Sequence, residues 1–313
     1  MKKLQKILMV ATAFMLAACA AEDAENSEEK LLQNDSPVVW IAEDDDSRLY
    51  MIGTVPLVPE SSAWQTAEVM SALESAETFF FESDTRDSAR AEALRLTAEL
   101  GLYDGGDKLS SYLDDLQIKL LINAAADADV PRGTLENMKP WFAGEILSVA
   151  AAESAGLKVD IAPDTVIQEW AKLRVRKTEY LDDVDVRIRD MADLPQETQI
   201  EFLSNVMTNY GALGDSMKAT ALQWEKGKLS DLMRGQTNIY SQLPEADYEA
   251  LLAKRNARWS KELTAFMEGS GSAIVVVGMP HLLGSDSLQY MLRENGYPVR
   301  RHRSKVAADT IEE

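Results

Sequence analysis

The chain has 313 residues, of which 46% are hydrophobic, 7% aromatic and 27% charged, a composition that supports a buried core and excludes disordered and collagen-like classes. Lys+Arg of 32 against Asp+Glu of 52 leaves a formal charge of −20, the wrong sign for a phosphate backbone, which argues against nucleic acid as a partner. Anionic lipid headgroups are repelled as well, so membrane attachment has to come from something other than a basic patch. At roughly 150 residues per domain there is room for one large domain or two.

Lys2, Lys3 and Lys6 precede an apolar run from Ile7 to Ala18, the layout of an export signal and shorter than the roughly 20 residues a spanning helix needs. The chain's single cysteine, Cys19, follows Leu16-Ala17-Ala18. Those four residues resemble a bacterial lipobox, which implies cleavage before Cys19 and its lipidation. An ordinary signal with an incidental cysteine is the plainer alternative, but a lone thiol in an exported protein asks for a reason. Ala20 stands where an aspartate would resemble an inner-membrane retention signal, so the expected location is the outer membrane, facing the periplasm. Loss of residues 1–18, with three lysines and no acid, takes the formal charge from −20 to −23. Residues 19–37 read as an acidic, self-repelling tether.

The folded part is expected over residues 38–302, followed by a polar tail at 303–313. Val38-Val39-Trp40-Ile41 and Leu49-Tyr50-Met51-Ile52, separated by Glu43-Asp44-Asp45-Asp46-Ser47, predict a hairpin. Helical spacing over Trp64 to Ala76 and the run Phe79-Phe80-Phe81, ending at Glu82, complete a strand-helix-strand unit. Helices are predicted at Ala89 to Leu100, Leu116 to Ala126, Trp141 to Ala155, Pro163 to Leu173 and Gln199 to Leu213, with strand signals sparse between them. The strand Ala273-Ile274-Val275-Val276-Val277, the helix Ser287 to Glu294 and a short strand near Tyr297 to Arg300 follow. The fold class is therefore α/β, a sheet formed by the N-terminal and C-terminal segments and covered by a long central helical region. Ligands in such sheets bind beyond the carboxyl ends of the strands. Three strand ends are marked there: Gly53-Thr54-Val55-Pro56, Glu82-Ser83-Asp84 and Gly278-Met279-Pro280-His281. Adjacent parallel strands would bring these loops together.

The opening strand pair with Gly53-Thr54-Val55, the strand ending in Glu82, Lys139-Pro140-Trp141, Asp164, Leu194-Pro195 with Gln199, Trp224 with Gly227, Arg255-Asn256 with Trp259, and Gly278 to Gly284 together resemble the TraB/GumN family, relatives of the Tiki-type metalloproteases. The resemblance implies a site of two Gly-x-x-His motifs and a strand-end glutamate. It places Glu82, Arg255, Asn256 and His281 in catalytic positions, with Glu82 and His281 either as ligands of a divalent metal (Mn, Co or Zn) or as acid and base without one, acting on a peptide or protein substrate.

This chain breaks the first motif. Pro56 stands where a histidine is wanted and offers no imidazole nitrogen. Only two histidines occur, His281 and His302, the second in the basic segment Arg300-Arg301-His302-Arg303. Asp84 or Asp286 would have to complete an oxygen-rich site, favouring Mn or Mg. Two functions follow from the residues: a lipid-anchored metallohydrolase of peptidase type, or a non-catalytic binding or assembly lipoprotein that keeps the fold. Arg255 reads equally as substrate clamp or as counter-ion of Glu82. Trp141, Trp224 and Trp259 read as core. The absence of phosphate-loop glycine patterns and of a Gly-x-Ser-x-Gly elbow argues against nucleotide and serine-hydrolase chemistry.

Overall fold

The two opening runs pair as an antiparallel hairpin, β1 (Val39–Glu43) with β2 (Ser47–Thr54), Val39 facing Ile52 and Glu43 facing Arg48. Its acidic turn is built by Asp44, whose carboxylate accepts the N–H groups of Asp46 at 3.2 Å and Ser47 at 2.8 Å, the local bonding that makes aspartate a turn residue. The computed structural model describes residues 36–84, 87–240 and 244–304. The expected signal segment, Cys19, nearly all of the tether and residues 305–313 lie outside them.

After a short β3 (Val58–Pro59), helix α1 (Ala67–Ser75) begins later than its apolar spacing suggested. Thr66 caps it, and Trp64 is buried ahead of it with its Nε1 donating to the Ile161 carbonyl at 3.2 Å. The phenylalanine run forms β4 (Thr78–Phe81), buried on both faces. Then come α2 (Asp87–Gly101), α3 (Asp115–Asp127), α4 (Arg132–Leu135), α5 (Pro140–Ser154), β5 (Leu157–Lys158), α6 (Pro163–Leu173), β6 (Lys177–Tyr180), α7 (Val186–Ala192), α8 (Gln196–Thr208), α9 (Tyr210–Glu225), α10 (Leu229–Tyr240), α11 (Glu245–Tyr248) and α12 (Lys254–Met267). The chain closes with β7 (Gly271–Gly278), α13 (Leu288–Glu294) and β8 (Val299–Arg301).

Among the described residues the main sheet runs β6-β4-β7-β2-β1-β8, with β2, β7, β4 and β6 parallel to one another and β1 antiparallel to both β2 and β8. The sheet is thus supplied mainly by the two ends of the fold. Three further details differ from the sequence pattern. The C-terminal β7 is inserted between β2 and β4, splitting the strand-helix-strand unit. The sheet's far edge is β6, from the middle of the chain, whose residues Lys177-Thr178-Glu179-Tyr180 are half-buried or exposed and carry no apolar run to signal them. The single helix expected over Gln199 to Leu213 is two helices meeting at Asn209, whose side chain bonds back to the Asn205 carbonyl at 2.9 Å, competing with helix continuation.

One apolar core lines the sheet, and a second fills the helical layer around Trp141, Phe142, Leu147, Leu203 and Leu213. Helix α5 is buried almost all round and carries Glu145 into that second core, fully buried, with neither carboxyl oxygen hydrogen-bonded. Arg187 Nη2 stands 3.9 Å from Oε1, beyond hydrogen-bond reach, so burial prevails and pushes the acid up to about 8. A group protonated in the folded chain and ionised in the unfolded one loses stability as pH rises from its unfolded value near 4.5 to about 8. Denaturant unfolding of Glu145→Gln against the parent at pH 5 and pH 8 should show the variant gaining about 3 kcal/mol relative to the parent at the higher pH. A pH-independent difference would mean that Glu145 is ionised or solvated in the fold.

Candidate functional site

The parallel strands β2, β7, β4 and β6 end along one edge of the sheet. The β4–β6 ladder continues past both strands, Leu181 N–H donating to the Phe81 carbonyl and Asp182 N–H to the Glu82 carbonyl, each at 2.9 Å. Glu82 lies one residue past β4 and Asp182 two past β6, and both carboxylates reach the same side chain, an arrangement that repels itself unless a cation bridges it. Arg255 is the bridge. Its Nη2 donates to Glu82 Oε1 at 2.6 Å and its Nε to Asp182 Oδ2 at 2.8 Å. The Arg255 side chain is 5% exposed, that of Asp182 2% and that of Glu82 25%, so the pairing is largely desolvated while Glu82 keeps a face open. Asp182 Oδ1 also accepts from Trp259 Nε1 at 2.7 Å and from Arg258 Nη2. The Arg255 guanidinium lies 4.8 Å from the centre of the Trp259 ring.

Arg255, Asn256 and Trp259 all come from α12, which is entered directly through a π-turn at Glu249–Ala253, a device that re-phases a helix and recurs at functional sites. His281 lies in the 3₁₀ turn Met279–Leu282 that leaves β7. Asn256 Nδ2 donates to the Asp286 carbonyl at 2.7 Å and the His281 carbonyl at 3.4 Å, which turns its Oδ1 toward His281 Nδ1 at 2.6 Å. Nδ1 therefore carries the hydrogen and Nε2 the lone pair. The imidazole packs 4.4 Å from the Trp259 ring. Burial, reinforced by Arg255 and opposed by Glu82, lowers its pKa to about 3. Burial pushes Glu82 up, but the Arg255 charge, His281, and the hydrogen bonds from Arg255 and from Gly278 N–H at 3.1 Å outweigh it and bring its pKa to about 2. At neutral pH the edge holds an ionised Glu82 and an uncharged His281. Gly278 lies between them: a Cβ there would stand 3.4 Å from Glu82 Oε2 and 3.8 Å from His281 Cδ2.

The fold thus brings together Glu82, Arg255, Asn256 and His281, the four residues expected here; Cys19 lies outside the described residues. Pro56 is half-buried two residues beyond Thr54, which pairs with Gly278. The two turns abut, since a Cβ at Gly53 would fall 2.3 Å from Met279 Sδ. Asp286 directs Oδ2 to the Tyr248 hydroxyl at 2.6 Å. Sequence reading missed Asp182, which shares Arg255 with Glu82. The only signal was a second acid at a strand end, hidden because β6 is polar. It also did not foresee that Trp259, though wholly buried, packs against the site histidine.

Fold and site define an α/β protein with a Glu-Arg-Asn-His constellation at the carboxyl edge of a mixed sheet. The model of the TraB/PrgY/gumN family matches residues 38–301, and the chain belongs to that family. No curated protein and no solved structure gives a significant match.

A divalent metal at such an edge wants about three protein donors and an open position. Both oxygens of Glu82 are engaged, by Arg255 and by Gly278 N–H, and His281 is the one imidazole present. Among the described residues no group of three or more His, Cys, Asp and Glu side chains is placed to hold a metal. A cation would have to displace a guanidinium 2.6 Å from the carboxylate. The donor set as it stands does not fit a metal. The same geometry makes Asp182 indispensable: Asp182→Asn leaves Arg255 buried with half its countercharge and should cost about 3–5 kcal/mol in urea unfolding. A loss below about 0.5 kcal/mol would show that Glu82 alone neutralises the arginine.

Proposed function

We propose that this chain is an exported, lipid-anchored member of the TraB/PrgY/gumN family that binds a peptide or protein partner at the carboxyl edge of its sheet, without metal-dependent hydrolysis. The observation that carries the reading is the pairing of Glu82 with Arg255 and Gly278 N–H, in a chain where Pro56 replaces the first motif histidine. An uncharged His281 with Nε2 as acceptor, beside a carboxylate whose charge is already balanced, suits hydrogen-bonded recognition of a polypeptide better than activation of water. The competing reading, a metal-dependent peptidase, is favoured by one feature: His281 is anchored through Nδ1–H to a side-chain oxygen, as metal-ligating histidines are.

Metal content after purification without chelator, measured for the mature protein and for His281→Ala, separates the two. Negligible metal in both supports binding without metal; metal in the parent that is lost from the variant overturns it. If only position 56 has disabled a metal site, Pro56→His adds an imidazole beside the Met279–Leu282 turn and should produce measurable binding of Mn, Co or Zn by isothermal titration. That binding should weaken below about pH 6.5, because imidazole must be neutral to ligate. An unchanged titration would place the disabling change elsewhere.

The location rests on the arrangement of Lys2, Lys3, Lys6, the apolar run and Cys19. No helix among the described residues is long and apolar enough to cross a membrane, and an acyl chain on Cys19 would supply the anchor. Cys19→Ala should abolish acyl labelling of the protein in cells, and persistent labelling would refute the lipoprotein reading.

A further inference from the structure

Hydrogen-bond donors and acceptors are unequally used at the carboxyl edge of the sheet. Arg255 directs Nη2 to Glu82, Nε to Asp182 and Nη1 to the Leu251 carbonyl at 3.4 Å. Asn256 Nδ2 is held between two carbonyls, Trp259 Nε1 and Arg258 Nη2 donate to Asp182, and Gly278 N–H donates to Glu82. Arg187, the other cation whose charge acts on His281, is likewise engaged.

The acceptors are not used up. His281 Nε2 keeps its lone pair, and the Glu82 side chain keeps an open face. Gln236, on α10 and 7% exposed, donates Nε2 at 3.2 Å to the carbonyl of Pro280, the residue before His281. A carbonyl only accepts, so the amide nitrogen has to face it, and Gln236 Oε1 is left buried with no partner. Gln289 does the same at the Leu282 carbonyl of this turn. Two half-buried acids add to the set, Asp164 at the head of α6 and Asp190 on α7, and their Oδ1 and Oδ2 respectively are buried without a hydrogen-bond partner. Both stand near enough to Glu82 to feel its charge. Burial raises the Asp164 pKa to about 6 against the N–H groups of Thr165 and Asp164 itself, and Glu82 adds to the rise. Burial raises Asp190 as well, opposed by Arg255 and Arg187 and reinforced by Asp193 and Glu82. Side-chain donors without partners lie elsewhere: Trp170 Nε1 and Arg176 Nε at the amino end of β6, Trp141 Nε1 in the second core, and Arg303 Nη1 beyond β8. Buried acceptors left without donors cost stability, so a donor from outside the chain completes this edge.

We propose that this edge receives a cationic group of the partner polypeptide, a lysine or arginine side chain or a free amino terminus, against the open face of Glu82, where His281 Nε2, Gln236 Oε1 and the carboxylates of Asp164 and Asp190 supply acceptors. The proposal rests on the peptide-binding reading above and names the chemistry that reading requires of its partner. Ammonium and guanidinium groups carry several N–H donors and no acceptor, which is the complement of a surface whose donors are engaged and whose acceptors are not. A neutral amide or hydroxyl brings an acceptor of its own, and an ionised acid brings acceptors only. Arg255 does not repel such a group strongly, because its charge is held between Glu82 and Asp182. The acids alone would be a cluster without direction. The buried, unpartnered oxygen of Gln236, fixed by its bond to the turn that carries His281, is the separate sign that a donor belongs there.

The test uses the chain with Cys19→Ser, which carries no acyl chain, and follows the ring nitrogens of isotope-labelled histidine by NMR, with His302, the other histidine of the chain, as internal reference. Capped penta-alanine peptides with a central lysine, arginine, acetyl-lysine or glutamate, and penta-alanine with a free amino terminus, are titrated in turn. At least one cationic peptide should shift His281 Nε2 and leave His302 in place, and the lysine and arginine peptides against the free-amine peptide tell side chain from terminus. The acetyl-lysine and glutamate peptides should bind at least about tenfold more weakly, the contribution of one hydrogen bond to a charged group. Asp164→Asn and Asp190→Asn should each weaken the cationic peptide at least about threefold, while Asp215→Asn, at an exposed acid elsewhere, should bind as the parent does. The peptide series on the parent needs no variant to fold. Equal binding of the lysine and acetyl-lysine peptides at His281, or parent-like affinity in both Asp164→Asn and Asp190→Asn, overturns the proposal and leaves peptide recognition standing. A His281 resonance that no peptide moves overturns both, so the two failures are distinguishable.

Discussion

The structure turns on one guanidinium held between two carboxylates. Parallel pairing of β4 with β6 brings the ends of both strands together, Glu82 and Asp182 just beyond them reach the same space, and neither can be desolvated alone. Arg255 resolves the conflict by giving a separate nitrogen to each. Buried ion pairs often add little net stability, because desolvation offsets much of the attraction. What this one specifies is geometry. A shift of β6 by one residue would move Asp182 to the opposite face of the sheet and leave Arg255 facing a single acid, so the pairing ties the register of the edge strand to the rotation of α12.

The same helix then determines the state of the histidine. Asn256 is the next residue after Arg255, and its amide is locked by the Asp286 and His281 carbonyls, so the phase of α12 that seats the arginine also fixes which imidazole nitrogen carries hydrogen. Trp259, one turn on from Arg255, closes the arrangement by donating to Asp182 while its ring packs against His281. Burial and the neighbouring guanidinium disfavour a charged imidazole more than Glu82 favours it. The outcome is an ionised acid and a neutral base held apart by the backbone of Gly278, with each carboxylate oxygen of Glu82 already accepting a hydrogen bond.

The parts of the fold that were legible in the sequence are those in which burial itself leaves a pattern. Continuous apolar runs such as Phe79-Phe80-Phe81 and Ala273-Ile274-Val275-Val276-Val277 can be satisfied only in the middle of a sheet, and the residues that end them are then candidates for chemistry by position alone, as Glu82 and His281 were. Lys177-Thr178-Glu179-Tyr180 leaves no such pattern because an edge strand needs only one neighbour and half a buried face. Asp182 was hidden with it. The insertion of β7 between β2 and β4 was not legible either, because strand order is set by contacts across some 200 residues of sequence rather than by local periodicity. The division at Asn209 was signalled only by a residue whose side chain competes with the helical backbone, inside an apolar pattern that runs straight through it.

Net charge is a sum over the whole surface, so a formal −20 argues against an extended polyanion such as nucleic acid and says little about any small part of that surface. The two ends of the fold come together at the carboxyl edge because Trp224 donates to the Gly53 carbonyl, while β8 pairs with β1 and returns the chain to its start. Both contacts belong to the framework that sets Gly53 against the Met279 turn, so the segment entering at Ser36 and the turn that carries His281 lie at the same edge of the sheet.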